Sequence, residues 1–417
     1  SYVCSSDLIT TADQRQSLIN LSALVDWKIT LPAGASCLLR LTRKSEVTGN
    51  IEIPLYSSFA RNDGTVYTLD SSDDTLYIMQ SDEDYIDVPV VQGQRYTYTI
   101  QEHEFEEHDL SGLLRYKLNS DVASGSVRLY NTSDTFEWTE VDSFWRTDNT
   151  SYNFTLEYES DPENPIEDYC YLVLGSIRFP SGDTLTCSFN RTAGSSGNTG
   201  VGTILNVNGA LSAYVTCSNT TSAVGGANIE SIDSFKSRIP RAVRTQRRGV
   251  VSDDYEALVL SVPSVRFCQV IDRNDNQEIP HLYIKVFVVP YGGYELSEQI
   301  RNDILQELTA KGTLGSWSGR YIISEASQYP VNLSVRIGVA SGYNQVSVRS
   351  AVISALTSYL ESDIFGIGDG LDFSDINLYT GRLSGVSWVE FDDPQSDITM
   401  SDGYIIVPGN ISVTIQT

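Results

Sequence analysis

The sequence predicts a multidomain α+β protein, with β-rich N-terminal and middle domains followed by two small C-terminal α/β modules. Three features lead there. From Ser36 onward short runs of alternating apolar and polar residues are punctuated by Gly and Asp-Gly turns, the mark of half-buried strands. After Val224 apolar residues recur at i, i+3, i+4 and i+7 between strand-like runs, the mark of amphipathic helices. Tyrosine is plentiful (24) and methionine scarce (2), a balance that suits sheets more than a pliable helical groove. At 417 residues the chain has length for two to four domains, each able to bury a core.

Residues 1–35 form an N-terminal helical segment, in which Thr11 or Asp13 caps a stripe of Leu18, Leu21, Leu24 and Val25. Residues 36–100 read as a small β-domain. Its runs are SCLLRLTRK, NIEIPLYSSFAR, TVYTLD, TLYIMQ and YIDVPVVQG, broken by Gly49, Asp63-Gly64 and Gly93. Seven acids between Asp70 and Asp87, with Pro54 and Pro89 inside strand-like runs, predict solvated faces and protected edge strands. Residues 101–223 form a β-rich middle domain with strands at 127–130, 136–141, 152–158, 169–174 and 184–189. The Gly/Ser/Asn-rich tract 194–202 reads as a flexible loop.

Residues 224–251 are a helix and a basic linker. Gly225-Gly226 breaks the preceding structure, Asn228 caps a helix lined by Ile229, Ile232, Phe235 and Ile239, and Pro240 closes it. Lys236, Arg238, Arg241, Arg244, Arg247 and Arg248 follow. The first α/β module, 252–315, opens on a helix capped by Ser252, with Asp253, Asp254 and Glu256 where the helix dipole favours anions. Tyr255, Leu258, Val259 and Val262 make its buried stripe and Pro263 ends it. Strands at 265–271 and 281–289 flank the turn DRNDNQE. The second strand is apolar on both faces, as in a strand covered on both sides. A helix through Leu296, Ile300, Ile304, Leu305 and Leu308 ends at Gly312. The second module, 316–417, holds a half-buried strand (Val331, Leu333, Val335, Ile337, Val339) and a helix capped by Ser347. That helix presents Val348, Ala351, Val352, Ala355, Leu356, Tyr359 and Leu360. A short helix at 374–382 and strands at 386–391, 404–407 and 411–415 complete the chain.

Candidate chemistry is thin. His103 and His108 in HEFEEH stand at i and i+5, about 140° apart around a helix, where a zinc-protease motif needs i and i+4. An exposed acidic connector is the better reading. DRNDNQE has alternating oxygen ligands from Asp272, but Gln277 stands where a calcium loop needs glycine and Tyr283 where it needs glutamate. GDGLDFSD, with Asp369, Asp372 and Asp375, reads more simply as the start of a short helix. The tract 194–202 has no lysine for a phosphate loop. No catalytic residue, cofactor site or metal site is expected.

The net charge of −26 argues against broad nucleic-acid binding and suits protein partners. The basic run 236–248 therefore reads as a protein interface or as pairing with the chain's own carboxylates. Cys4, Cys37, Cys170, Cys187, Cys217 and Cys268 are dispersed in apolar or strand-like sequence and read as reduced. No apolar run reaches the ~18–20 residues of a membrane helix, and no signal peptide is visible. A rival reading, a secreted or cell-surface glycoprotein or adhesin that binds glycans, rests on eight sequons: Asn20, Asn131, Asn149, Asn153, Asn190, Asn219, Asn332 and Asn410. A hydrolase is a third reading, without a locatable pocket.

One set of residues is specific in combination. Gly225, Gly226, Glu230 and Ser231 are followed by Arg244, Thr245, Arg248 and Val250, by the helix Asp254 to Leu258, and by Val289-Pro290-Tyr291-Gly292-Gly293. Over about 70 residues this order resembles the baseplate J-like wedge family of contractile phage tails and related injection systems. The likeness extends to Ile53-Pro54, Phe59 and Asp63-Gly64, to FEWTEVDSFW, and to Thr192, Gly194, Gly197 and Asn198. Near the C-terminus it covers Gly385, Val386 and Val389; Leu174-Gly175-Ser176 departs from the usual Gly-Asp-Gly turn.

The resemblance implies a non-enzymatic structural subunit of the virion's tail baseplate, assembled in the bacterial host cytoplasm. Its implied partners are itself, as a homodimer within a wedge and a ring of wedges, a second wedge subunit, and other baseplate, hub or sheath-initiating proteins. Nucleic acid and membrane are not among them. The N-terminal helix would pack with partner subunits, or else lie on its own domain. Arg244, Arg248, Asp254 and Tyr255 are the expected structural or interface residues.

Overall fold

The computed structural model describes residues 28–70, 75–107, 113–119, 121–133, 136–141, 144, 151–160, 168–175, 184–231, 234–236, 249–312 and 318–416. The expected N-terminal helix stripe lies outside them, as do Arg244 and Arg248. The fold is α+β and mostly β, in several sheets with a few helices. Contacts divide the chain into two units, Ser1–Val265 with Pro290–Thr313 and Arg266–Val289 with Leu314–Thr417.

In the first unit the strands are β1 (Ser36–Arg43), β2 (Ile51–Ile53), β3 (Ser58–Arg61), β4 (Val66–Leu69), β5 (Tyr77–Met79), β6 (Tyr85–Gln92), β7 (Gln94–Gln101) and β8 (Glu106–Glu107). There follow β9 (Leu114–Leu118), β10 (Arg128–Asn131), β11 (Thr139–Glu140), β12 (Asn153–Ser160), β13 (Asp168–Leu174), β14 (Thr184–Arg191), β15 (Ile204–Val207) and β16 (Val215–Asn219). The main sheet runs β15-β3-β4-β6-β1-β16. Alternation along each strand puts Leu39, Leu41, Phe59, Tyr67, Val88 and Val90 into one core. Its two outermost strands are joined by Asn219. The Asn219 Oδ1 accepts from the backbone N–H of Thr203 and Ile204, and Nδ2 donates to the carbonyls of Gly200 and Thr221.

Pro89 corrects an expectation, for β6 is an inner strand between β4 and β1, not an edge. The Pro89 carbonyl accepts from Asp70 N–H (3.0 Å), just past the end of β4, so the missing proline donor falls where the ladder stops. Pro54, by contrast, follows β2, whose only strand partner among the described residues is β5.

The strands β11-β12-β13-β9-β8 and β10-β14-β7 form two further sheets that share a core of Ile100, Leu129, Phe154, Leu172, Leu185 and Phe189. Trp138 is buried in that core and donates Nε1–H to Asn131 Oδ1 (2.9 Å). Phe235 enters the same core from the helical residues 234–236. Ser231 Oγ accepts from Ser234 N–H, whereas the expected cap Asn228 is engaged elsewhere.

Helices α1 (Ser252–Val259) and α2 (Glu298–Lys311) complete this unit. The stripe Tyr255, Leu258, Val259 and Val262 is buried as the spacing requires, and so are Ile300, Ile304 and Leu308. Ser252 lies inside α1 and not at its cap; Ser297 caps α2. Gly312 ends α2 with ordinary φ (−72°), donating to Leu308 and bridging Gly249, so its left-handed freedom is not used.

The second unit contains β17 (Val265–Ile271) and β18 (Ile284–Pro290), apart from Val265 and Pro290, together with β19 (Tyr321–Glu325). These form one sheet in the order β17-β18-β19. A second sheet runs β21-β20-β22, from β20 (Ser327–Val339), β21 (Val386–Asp393) and β22 (Tyr404–Ile415). Helices α3 (Gln345–Leu360) and α4 (Phe373–Gly381) cover the face carrying Val331, Leu333, Val335 and Ile337. On the opposite face Arg336 pairs with Glu390 at 2.8 Å and Asp392 at 2.9 Å. Asn344, not Ser347, caps α3, accepting from Val346 and Ser347 N–H. The two expected terminal strands are one, β22, which passes Pro408-Gly409-Asn410 with a shift in register against β20. On β18 Val286 and Val288 are fully buried while Lys285 and Phe287 are half-buried, so one face is sealed and the other partly open.

Candidate functional site

Three of the stretches in which the resemblance is read meet at one place inside the first unit. Residues 192–198 follow β14, residues 223–228 follow β16, and residues 290–293 follow β18. The tract 194–202, expected to be a flexible loop, is an ordered turn: Gly194–Gly197 is a 3-10 helix whose backbone is tied on several sides. Gln92, at the end of β6 and buried, accepts through Oε1 from Thr192 Oγ1 (2.7 Å) and Ala193 N–H (2.9 Å). Thr192 Oγ1 accepts in turn from Gly194 N–H. Tyr67 donates its hydroxyl to the Gly197 carbonyl (2.6 Å), and burial pushes that phenol up to about 12. Asn228 Oδ1 accepts from Ser195 N–H, a use across the chain that takes it away from the helix cap.

Asn198 is the pivot. Its Nδ2 donates to the Gly226 carbonyl and its Oδ1 accepts from Gly226 N–H, both at 2.8 Å. The carboxamide thus pairs with Gly226 as a neighbouring strand would. A Cβ on Gly226 would stand 2.6 Å from the Gly194 carbonyl oxygen, so the two backbones approach only because residue 226 has no side chain. Gly292 presses on Asn198 from another direction. It has φ +81°, and a Cβ there would lie 2.2 Å from Asn198 Cγ. Gly225 N–H donates to the Tyr291 carbonyl (2.7 Å), and Tyr291 N–H to the Ser264 carbonyl (3.0 Å). Ser36 Oγ and Ser297 Oγ, the α2 cap, are 2.7 Å apart. Backbone approach and neutral amides are therefore what the motif residues supply here.

Glu230, also within the resemblance, is buried. Its carboxylate accepts from Thr30 N–H (3.1 Å) and from Ser234 Oγ (3.1 Å), tying the entry to β1 to the turn before the basic run. Of the four residues expected at a structural or interface site, Asp254 and Tyr255 lie together in the first turn of α1. The Asp254 carboxylate accepts from Val250 and Val251 N–H (3.1 and 3.2 Å), closing the helix N-terminus. Tyr255 is buried, its ring packed against Gly249.

The candidate ion sites resolve into local structure. In DRNDNQE, Asp272 Oδ1 accepts from Asn274 N–H, Asp275 from Asp272 N–H, and Asn276 from Glu278 N–H. In GDGLDFSD, Asp369 accepts from Gly366 N–H and Asp372 caps α4 through Ser374 and Asp375 N–H. Around HEFEEH a 3-10 turn, Glu102–Glu104, and β8 are exposed. Among the described residues no group of three or more His, Cys, Asp or Glu is placed to hold a metal ion. Five described cysteines are free, four of them buried; burial pushes the Cys37, Cys187 and Cys217 thiols up to about 12. No described helix is long and apolar enough to cross a membrane.

No protein-family model matches the sequence. No curated protein matches it either. Solved structures do. A chain of the anti-feeding prophage (AFP) baseplate, from a 6-fold symmetrised cryo-electron microscopy structure, is 12% identical with a TM-score of 0.36, covering 94% of this chain and 80% of that one. A chain of the type VI secretion system TssK-TssF-TssG baseplate subcomplex is 10% identical with a TM-score of 0.30, covering 73% of this chain and 91% of that one.

Proposed function

We propose that the chain is a structural wedge subunit in the baseplate of a contractile tail. It associates with a second copy and with another wedge protein, contributes to a ring around the central hub, and rearranges when the sheath contracts. The observation that carries the reading is the junction. Residues 192–198, 225–226 and 290–293 are distant in sequence, bear the family resemblance, and converge on one knot of glycines and amides. Such residues serve close backbone packing. They suit a subunit whose task is to keep its modules in register under load. Arg244 and Arg248 belong to the proposed interface, and Asp254 and Tyr255 to its structural support. The test is cross-linking mass spectrometry on intact particles. Cross-links from this chain to its own copies and to one neighbouring wedge protein are expected, whereas links confined to fibre or capsid proteins overturn the proposal.

The glycoprotein reading is disfavoured by three sequon asparagines. Asn131, Asn153 and Asn219 are buried, and Asn219 spends its whole carboxamide on backbone groups. Glycan mass on the purified chain would restore that reading.

A further inference from the structure

Away from the junction, the face of the β10-β14-β7 sheet opposite its shared core carries a cavity of about 310 Å³ lined by Tyr56, Arg95, Thr97, Arg128, Tyr130, Glu137 and Ser188. Register explains the grouping. Arg128 of β10 pairs with Ser188 of β14, and Ser188 with Thr97 of β7, so these three form one row across the sheet. Arg95 lies one row on and Tyr130 one row back. Tyr56, from the turn between β2 and β3, also lines the cavity.

Two arginines face this cavity, and their situations differ. The Arg128 guanidinium has Glu137 at 3.5 Å and Tyr56 Oη at 3.4 Å. Arg95 has no carboxylate partner among the described residues. Its Nη2 donates to Ser188 Oγ (2.5 Å), its Nη1 to the Ser126 carbonyl (3.3 Å), and its plane lies 4.4 Å from the centre of the Tyr56 ring. A guanidinium has five donors, so three on Arg95 are left for something else. Burial, and then the nearby positive charge of Arg128, disfavour the charge on Arg95. Tyr56 holds its ring there from a left-handed backbone, φ 59°, a conformation unfavourable for any residue with a Cβ. Among the described residues that line the cavity, two guanidinium groups stand beside one carboxylate.

We propose that this cavity is an oxyanion site in which the free donors of Arg95, backed by Arg128, hold one carboxylate or phosphate group. The fork of an arginine fits two oxygens of such a group side by side, and the ring beneath keeps its plane fixed. Two sources share that chemistry: a free inorganic anion, or an acidic side chain of a neighbouring subunit. The site stands independently of the baseplate reading.

Isothermal titration of the full chain with inorganic phosphate and, separately, with sodium acetate, at constant ionic strength, tests it. One saturable site is expected. Tighter binding of phosphate assigns the site to a free anion, and binding of acetate at least as tight assigns it to a protein carboxylate. Arg95→Gln should abolish the response, and Arg95→Lys should weaken it by about tenfold, one charged hydrogen bond. Glu137→Gln removes the competing carboxylate and should tighten binding several-fold. It leaves Arg95 in place, so it remains informative where the Arg95 variants are unstable. No saturable response from wild type and Glu137→Gln with either anion overturns the proposal. So does binding that survives Arg95→Gln unchanged in a chain with wild-type urea midpoint.

Discussion

Replacing Gly292 by alanine tests the junction where it is tightest. The new Cβ would stand 2.2 Å from Asn198 Cγ and 2.5 Å from Nδ2, on a backbone already at φ +81°. Placing a Cβ in left-handed backbone costs about 1 kcal/mol. The contact also drives the Asn198 carboxamide off Gly226, removing two hydrogen bonds worth about 1 kcal/mol each. The sum is about 3 kcal/mol of lost stability. Gly202→Ala is the control. It has φ +73° and nothing within 4 Å, so it carries only the backbone penalty of about 1 kcal/mol. Asn198→Ala alone should cost about 2 kcal/mol, and adding Gly292→Ala to it should bring the total to about 3 kcal/mol rather than 5, a coupling of about 2 kcal/mol. Urea unfolding followed by fluorescence reads the energies, and hydrogen exchange at residues 192–198 and 223–228 locates them. Equal losses for Gly292→Ala and Gly202→Ala, or additive losses in the double variant, would show that Gly292 and Asn198 are not coupled.

Three further outcomes follow from the same contacts. Asn219→Ala removes the acceptor of two backbone donors and a donor to the Thr221 carbonyl where β15 and β16 meet, while Gly200 keeps the Thr203 hydroxyl, and should lower the urea-derived stability by about 3 kcal/mol. Asp254→Ala frees the N–H groups of Val250 and Val251 and should cost about 1 kcal/mol, with faster amide exchange confined to the start of α1. Asp303 on α2 is held up to about 6, first by burial and also by the charge of Asp70, against the Gln299 side chain that donates to it. Because its folded value lies above the unfolded one of 3.8, the folded chain binds this proton more tightly, and the stability so gained is complete below about pH 4 and lost as pH rises through about 6. Asp303→Asn should therefore be more stable than wild type at pH 7, by roughly 3 kcal/mol at most, with the advantage shrinking towards pH 4 in urea titrations.

Much of the fold was legible because alternation and helical stripes record burial directly. β1, β12, β13 and β14 fall where the runs place them, and Val348, Val352, Leu356 and Leu360 line α3 as spaced. β7 left no such run, since Ile100 is its sole buried apolar residue and its other positions alternate tyrosine with Arg95, Thr97 and Thr99. β19 is separated from β20 by Ala326 alone, too short a break to mark a boundary. Caps slipped because Ser, Asn and Asp compete for one task, and tertiary contact decides. Asn228 is claimed by Ser195, and Asn344 displaces Ser347. Pro89 was read as an edge signal, but its missing donor falls where β4 ends. The junction residues were visible as separate motifs, yet their meeting point was not. Gln92, Asn198 and Asn228 join them through single amides that leave no periodic trace. Arg95 and Arg128 come together only through strand register, which sequence spacing does not encode.

Cryo-electron microscopy of the intact particle is the sharpest check on the proposal that this chain is a mechanical part of a contractile tail's baseplate. Density for this chain is expected in the ring around the hub, in contact with a second copy of itself. Density for it in a fibre or the capsid, or its absence from purified particles, would overturn the proposed role.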